Sequence, residues 1–261
     1  MKLAGSPRRA WAALACGLLG IGVAAGLSGC GPTRRAAAAE LPAPTSTSTS
    51  TSTSTTMPAP QPPVSVVAQA GSGGVDVYQA PGDPTPWQTL PGTRALGGPQ
   101  VLLVVDRIYD WLQVALPIRP NGTTGWIRAS DVTLSTHDYR IVVQESAHVI
   151  TFYHGFDVID QEPIAVGKQA TPTPGGHFYT TDFVKVANPY GPYGPYAFGL
   201  SGFSDVLTSF AGGPGQLAIH GTNEPWVLGH DASHGCIRMS NAGITRMAQI
   251  LPLGVPVTVL A

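Results

Sequence analysis

The sequence predicts a mainly β protein with two folded units behind an export leader. Three observations carry that reading. Glycine (32) and proline (25) are abundant while charged residues make up 11% of the chain, the balance of a loop-rich β protein working outside the cytoplasm. From about residue 64 onward, short apolar runs alternate with polar residues and stop at Gly, Pro or Asn turns. A single stretch near the C-terminus carries a helical period.

The leader comes first. Lys2, Arg8 and Arg9 precede an apolar run, Trp11 to Leu27, rich in Ala, Gly and Leu. Leu27-Ser28-Gly29-Cys30 resembles the lipobox of bacterial lipoproteins, whose cysteine is lipidated and becomes the new N-terminus. That resemblance implies a signal peptide over residues 1–29 and an exported protein held by Cys30 to the outer face of the cell membrane. The alternative, an uncleaved anchor helix, has a slightly short run. Without residues 1–29 the chain carries 11 basic and 15 acidic residues, a net −4. No basic patch invites nucleic acid.

Residues 30–63 read as a disordered tether. Thr45 to Thr56 alternates Ser and Thr, and Pro58, Pro60, Pro62 and Pro63 follow. Nothing there can bury a core. About 33 such residues reach up to ~110 Å when fully extended.

Residues 64–134 form the first folded unit. Val75 to Tyr78, Gln100 to Asp106, Trp111 to Leu116 and Gly125 to Ile127 read as strands, with a turn at Pro120-Asn-Gly-Thr-Thr-Gly125. In the third run Trp111, Gln113 and Ala115 share one face, and Leu112, Val114 and Leu116 the other. The "Trp-Leu-Gln-Val … Gly-Trp-Ile" pattern resembles a small bacterial SH3-like β-barrel; an immunoglobulin-like module is the alternative. The tryptophans serve as core or as a ligand platform.

Residues 135–261 form the second. Arg140 to Gln144, His148 to His154, Phe156 to Ile159, Pro163 to Val166 and His177 to Thr180 are strand-like. Asn188 to Tyr196 repeats Pro-Tyr-Gly and is too rich in turn residues for regular structure. Ser240 or Asn241 caps a short helix with Ile244, Met247, Ala248 and Leu251 on one face, ended by Pro252 and Gly254. Pro256 to Leu260 returns as a strand.

The chemistry lies in two turns of this unit. Leu217-Ala-Ile-His220-Gly221 is an apolar run ending in a histidine, and Ser233-His234-Gly235-Cys236-Ile237-Arg238 follows a short loop later. Cys16 falls in the leader and Cys30 at its end, so Cys236 is the one thiol left in the folded part. A thiol with a nearby imidazole is the minimum for nucleophilic acyl transfer.

Ile-His-Gly-Thr-Asn, a loop, then Ser-His-Gly-Cys-Ile-Arg resembles the active-site signature of the L,D-transpeptidases, which cross-link bacterial peptidoglycan. The resemblance extends at lower density from about Tyr139 to Leu260. It implies a β-sandwich with few short helices. It makes Cys236 the nucleophile and His220 the general base that later protonates the leaving amine. With no side chain on Gly221, that residue's backbone carbonyl orients the imidazole. Backbone N–H groups of Gly235 and Cys236 face the oxyanion. Ser233, His234, Arg238 and Tyr193 border the substrate, Tyr193 from a flap that also carries Tyr190 and Tyr196. Two readings stay open for Arg238, a stem-peptide carboxylate or a buried ion pair, and two for His234, pocket wall or structural hydrogen bonding. The partners implied are peptidoglycan stem peptides and carbapenem inhibitors, with no cofactor. L,D-carboxypeptidase action and attachment of lipoproteins to the wall would use the same site. A zinc site of His220, His230, His234 and Cys236, or a non-catalytic wall-binding lipoprotein, are alternatives of another class.

Overall fold

The computed structural model describes residues 61–261, all of which fall in one compact unit. The leader, Cys30 and all but the end of the tether lie outside the described residues.

The N-terminal sheet is formed by β1 (Ser65–Ala70), β4 (Val101–Ile108), β5 (Trp111–Ala115), β6 (Thr124–Arg128) and β7 (Val132–His137), with β2 (Val75–Val77) and β3 (Gln88–Leu90) forming a separate pair between β1 and β4 in the chain. The sheet order is β6-β5-β4-β1-β7, antiparallel throughout. Leu112, Val114 and Leu116 are buried and join Ala68, Leu102 and Ile127 in the core, as the alternation predicts. The tryptophans do not join them. Trp111 stands edge-on to Tyr78 with the Arg128 guanidinium 4.7 Å over its ring, and Trp87 is exposed.

The second sheet follows: β8 (Tyr139–Gln144), β9 (Val149–His154), β10 (Asp157–Pro163), β11 (Val166–Gly167), β12 (Gly176–Lys185), β13 (Tyr196–Phe203), β14 (Gln216–His220), β15 (Asp231–Ser233), β16 (Ile237–Arg238), α1 (Asn241–Ile250) and β17 (Pro256–Leu260). Eight of these strands run β10-β9-β8-β17-β12-β13-β14-β16, and β11 pairs with β15 apart from them. The long β12 pairs with β17 over Gly176–Tyr179 and with β13 from Thr180 onward, with a bulge between Thr180 and Asp182. A strand that changes partners at a bulge lets a sheet turn a corner. Ile141, Phe152 and Val257 from one half then share a core with Phe198, Leu217 and Ile237 from the other.

Two elements depart from the sequence expectation and a third carries no strand signal. β10 runs unbroken from Asp157 to Pro163, because a bulge between Val158 and Asp160 shifts its period. β12 continues five residues past Thr180, since buried Thr181 and Asp182 find partners there. β13 carries Gly199 and Gly202, residues that ordinarily weaken a strand. Here the Phe178 ring occupies the space where a Cβ on Gly202 would stand. The helix forms as its pattern predicts: Ser240 Oγ accepts from the Gly243 N–H, and Ile244 and Met247 are buried.

The two sheets dock through buried contacts. Val67, Val101 and Tyr179 form a shared cluster, and the Tyr179 hydroxyl faces the carbonyl oxygens of Ala115 (3.1 Å) and Val101 (3.3 Å). Arg94 Nε donates to Asp182 Oδ1 at 2.8 Å, the carboxylate being buried and the guanidinium partly so. Burial by itself would raise the Asp182 carboxyl, but hydrogen bonds from Arg94, Thr181 and Gln216 outweigh it and hold the group below the usual carboxylate range.

Candidate active site

β14 alternates, so Leu217 and Ile219 enter the core while Ala218 and His220 turn the other way. β16 runs parallel beside it, pairing Ile219 with Ile237 and His220 with Arg238. Residues in register project to the same side, so Arg238 shares the face of His220. Cys236 precedes Arg238 by two positions and faces with them. Imidazole, thiol and guanidinium thus border one cavity of about 350 Å³, with Tyr193, Phe210 and His234 completing its walls.

The cysteine turn is held by hydroxyls. Ser233 Oγ accepts from the Gly235 N–H at 3.0 Å and donates to the Cys236 carbonyl at 2.6 Å. Thr173 Oγ1 accepts from the Gly167 N–H at 2.8 Å and donates to the Gly235 carbonyl at 2.9 Å. Gly235 has φ 113, a conformation that L side chains avoid. The Gly235 N–H, expected to face the oxyanion, here donates to Ser233 Oγ. Among the described residues no backbone hydrogen bond engages the Cys236 N–H.

His220 is 3% exposed, and its Nδ1 lies 2.6 Å from the Gly221 carbonyl oxygen. A carbonyl only accepts, so Nδ1 carries the proton and Nε2 keeps its lone pair. Burial pulls His220 down from 6.5 to about 4, opposed by the Gly221 hydrogen bond and assisted by the Arg238 charge. Burial also pushes the Cys236 thiol up, against a hydrogen bond from the Ala218 backbone and the Arg238 charge. Burial disfavours either charge and so favours a neutral thiol beside a neutral imidazole.

The remaining predicted residues gather around this pair. The Tyr193 ring packs on the His220 ring at 4.9 Å, and burial raises its hydroxyl. His234 is exposed, stacks on Phe210 at 5.3 Å, and has Lys168 Nζ 3.4 Å from its Nε2. Arg238 pairs with Glu224 at 2.8 Å, an ion pair whose carboxylate is exposed and not buried, while among the described residues the buried Arg238 Nε has no partner. Thr222 and Asn223 line a neighbouring cavity of about 320 Å³ with Tyr190 and Asn241. Among the described residues no three His, Cys, Asp or Glu side chains gather to hold a metal ion, which removes the geometric basis of the zinc alternative.

Sequence reasoning missed Thr173 as the brace of the turn and Phe210 as a wall. Thr173 lies in the Pro- and Gly-rich stretch Thr171 to Gly176, and its contact with Gly235 spans 62 positions. Phe210 sits in a Gly- and Ser-rich loop with no periodic signal.

Residues 138–259 match the L,D-transpeptidase catalytic domain family, YkuD. "Putative L,D-transpeptidase YkuD" of Bacillus subtilis (strain 168) is 38% identical over 124 residues, covering 48% of this chain and 67% of that protein. Its Bacillus licheniformis namesake is 36% identical with the same coverage. Among solved structures, a mutant Enterococcus faecium L,D-transpeptidase aligns at 22% identity and TM-score 0.37 over 47% of this chain and about half (49%) of its own. L,D-transpeptidase 3 of Mycobacterium tuberculosis, in complex with a faropenem-derived adduct, aligns at 17% identity and TM-score 0.41 over 64% of this chain and 76% of its own. The family match and the 38% identity across two thirds of the Bacillus subtilis relative together place this chain in the YkuD family, as a protein with an L,D-transpeptidase catalytic domain.

Proposed function

We propose that the protein is a peptidoglycan L,D-transpeptidase that joins third residues of neighbouring stem peptides through a Cys236 thioester. The observation that carries this is the Cys236 thiol and the His220 imidazole on one cavity, with Nδ1 of the imidazole tied to the Gly221 carbonyl. That tie leaves Nε2 to take a proton.

The donor is a tetrapeptide stem. Cys236 sulfur attacks the carbonyl carbon of its third residue while the thiol proton passes to His220 Nε2. The tetrahedral oxyanion is met by the Cys236 N–H; Gly235 serves through its conformation, its own N–H being held by Ser233. Collapse breaks the bond to D-alanine, whose nitrogen takes the proton back from His220. A side-chain amine of a second stem then attacks the thioester, gives a proton to His220, and releases the thiol. His220 cycles through its cation, which its burial disfavours, so the proton is handed on readily. Tyr193 covers the pair from the flap, and Arg238 holds a stem carboxylate with the face not used by Glu224.

Residues 64–134 serve as an SH3-like module and the leader as a lipoprotein signal. Cys30 then carries the membrane anchor and the enzyme acts in the cell wall from the outer face of the membrane. Replacing Cys30 with Ala should release the protein from the membrane fraction; full retention would sink the anchor.

The central test is incubation with purified disaccharide-tetrapeptide and mass spectrometry of the products. Cross-linked dimers are expected. Trimmed tripeptides alone would instead mark an L,D-carboxypeptidase, and no product would end the proposal.

A further inference from the structure

One wall of the catalytic cavity is held from outside the catalytic domain. The segment between β13 and β14, residues 204–215, projects to a tight tip where Phe210 and Gly213 exchange backbone hydrogen bonds at 2.9 Å. Phe210 and Ala211 line the cavity beside Cys236, and the Phe210 ring stacks on His234. The limbs of this loop are gathered by Arg119, which lies between β5 and β6 of the N-terminal sheet. Its Nη1 donates to the Ser204 carbonyl at 2.7 Å, and its Nη2 to those of Leu207 (3.0 Å) and Pro214 (2.9 Å). Ser204 and Leu207 belong to the outgoing limb and Pro214 to the returning one. The guanidinium also lies 5.0 Å over the Phe203 ring.

Asn121, two residues on, secures the root. Its Nδ2 donates to the Phe203 carbonyl at 2.8 Å and its Oδ1 accepts from the Phe203 N–H at 2.9 Å. The limbs themselves touch closely, since a Cβ on Gly215 would collide with the Leu207 carbonyl oxygen. A loop locked at its root moves its tip when the root tilts. Three carbonyls on two limbs need a fork of donors at fixed angles, which a guanidinium supplies and an ammonium does not.

We infer that Arg119 is a positioning residue of the active site: it holds the 204–215 loop so that Phe210 and His234 form the wall against which the acyl-donor stem peptide lies. The N-terminal module therefore sets substrate affinity without touching the reacting atoms. This rests on the reading of Cys236 as the acylated nucleophile. Contacts made with parts of a substrate remote from the scissile bond orient it for attack, and a small reagent that lacks those parts does not need the wall.

The test uses the full chain, as parent, Arg119→Ala, Arg119→Lys, Phe210→Ala and the double variant Arg119→Ala/Phe210→Ala. Two quantities are measured: steady-state turnover of purified disaccharide-tetrapeptide, and alkylation of Cys236 by iodoacetamide. Arg119→Ala should raise KM about tenfold with kcat within about threefold, and leave alkylation within about twofold. Arg119→Lys should fall between it and the parent. The double variant should match Phe210→Ala alone, because Arg119 acts through Phe210. Additive losses in the double variant, unchanged KM, or equal falls in turnover and alkylation would overturn the inference. If Arg119→Ala does not fold, the cycle is run with Arg119→Lys and read the same way. A parent chain that consumes no muropeptide sinks the transpeptidase reading; a working parent with an additive cycle sinks only the role of Arg119.

Discussion

Gly194 and Gly221 pack backbone against backbone: a Cβ on Gly194 would stand 2.7 Å from the Gly221 Cα. The flap that carries Tyr193 therefore rests on the residue whose carbonyl orients His220. A side chain on Gly221 would also collide with Asn241 Oδ1, which accepts from the Thr222 N–H at 2.8 Å and cannot move without orphaning that donor. Gly221→Ala should cost about 1–3 kcal/mol, the usual range for overpacking. It should also slow acylation roughly tenfold by lifting Tyr193 from the imidazole. Urea denaturation and single-turnover acylation check both, and a variant as stable and as fast as the parent would refute the packing argument.

A neutral resting pair has its own signature. Because burial raises the Cys236 thiol, iodoacetamide alkylation should still be climbing at pH 9. A thiolate–imidazolium pair would plateau well below neutrality. His220→Ala should leave high-pH alkylation in place yet slow acylation by a carbapenem or stem peptide about 10²–10⁴-fold, as loss of a general base does. Cys236→Ala should give no adduct in intact-protein mass spectrometry.

His220 also couples pH to stability. Its pKa in the fold, about 4, lies below the usual 6.5. The unfolded chain then binds more protons between those values, so stability is fully present above 6.5 and is lost as pH falls toward 4. The loss attributable to this group is on the order of 3 kcal/mol, at about 1.4 kcal/mol per pKa unit. Urea midpoints from pH 7 to pH 4.5 should drop more steeply in the parent than in His220→Gln. Parallel curves would count against it.

The Arg94–Asp182 pair joins the two sheets, and Asp182 is 2% exposed. Arg94→Ala leaves a buried carboxylate without its ionic partner, held only by Thr181 and Gln216, and should cost up to about 3–5 kcal/mol at pH 7. The sign of its pH dependence is fixed. In the parent the lowered carboxyl stabilises the fold above the usual carboxylate value and stops doing so as pH falls through its own lower one. In the variant only the Thr181 and Gln216 hydrogen bonds still oppose burial, so the carboxyl rises and protonation relieves it. The stability gap between the two proteins should therefore narrow from pH 7 toward pH 4. A constant gap would mean that packing, not charge, holds the sheets.

Much of the fold was legible wherever periodicity matched environment. Leu112, Val114 and Leu116 alternate inward as read, and Ile244 and Met247 fall on the buried face of α1. Legibility failed where glycine answered a neighbour distant in sequence. Gly202, a residue type that weakens strands, stands within β13 because the Phe178 ring leaves no room for a side chain. The site was legible because its residues are close in sequence: His220 and the turn at Ser233 to Arg238 sit on strands that pair directly. The hydrogen bond from the Gly235 amide to a hydroxyl two residues back was not legible, because it is a matter of rotamer.

By itself the sequence determined the residue types of the chemistry: a lone thiol in the folded part, an imidazole ending an apolar strand, and a glycine where a carbonyl must orient it. Local composition suffices for that, since strand alternation and turn chemistry depend on near neighbours. Only the tertiary structure decided the protonation of the pair, the bracing of the turn by Thr173, and the wall that Arg119 holds from another sheet. Desolvation depends on everything packed around a group, and a contact such as Arg119 to Pro214 spans 95 positions of chain. No local pattern encodes either one; both exist only after distant strands have closed on a common core.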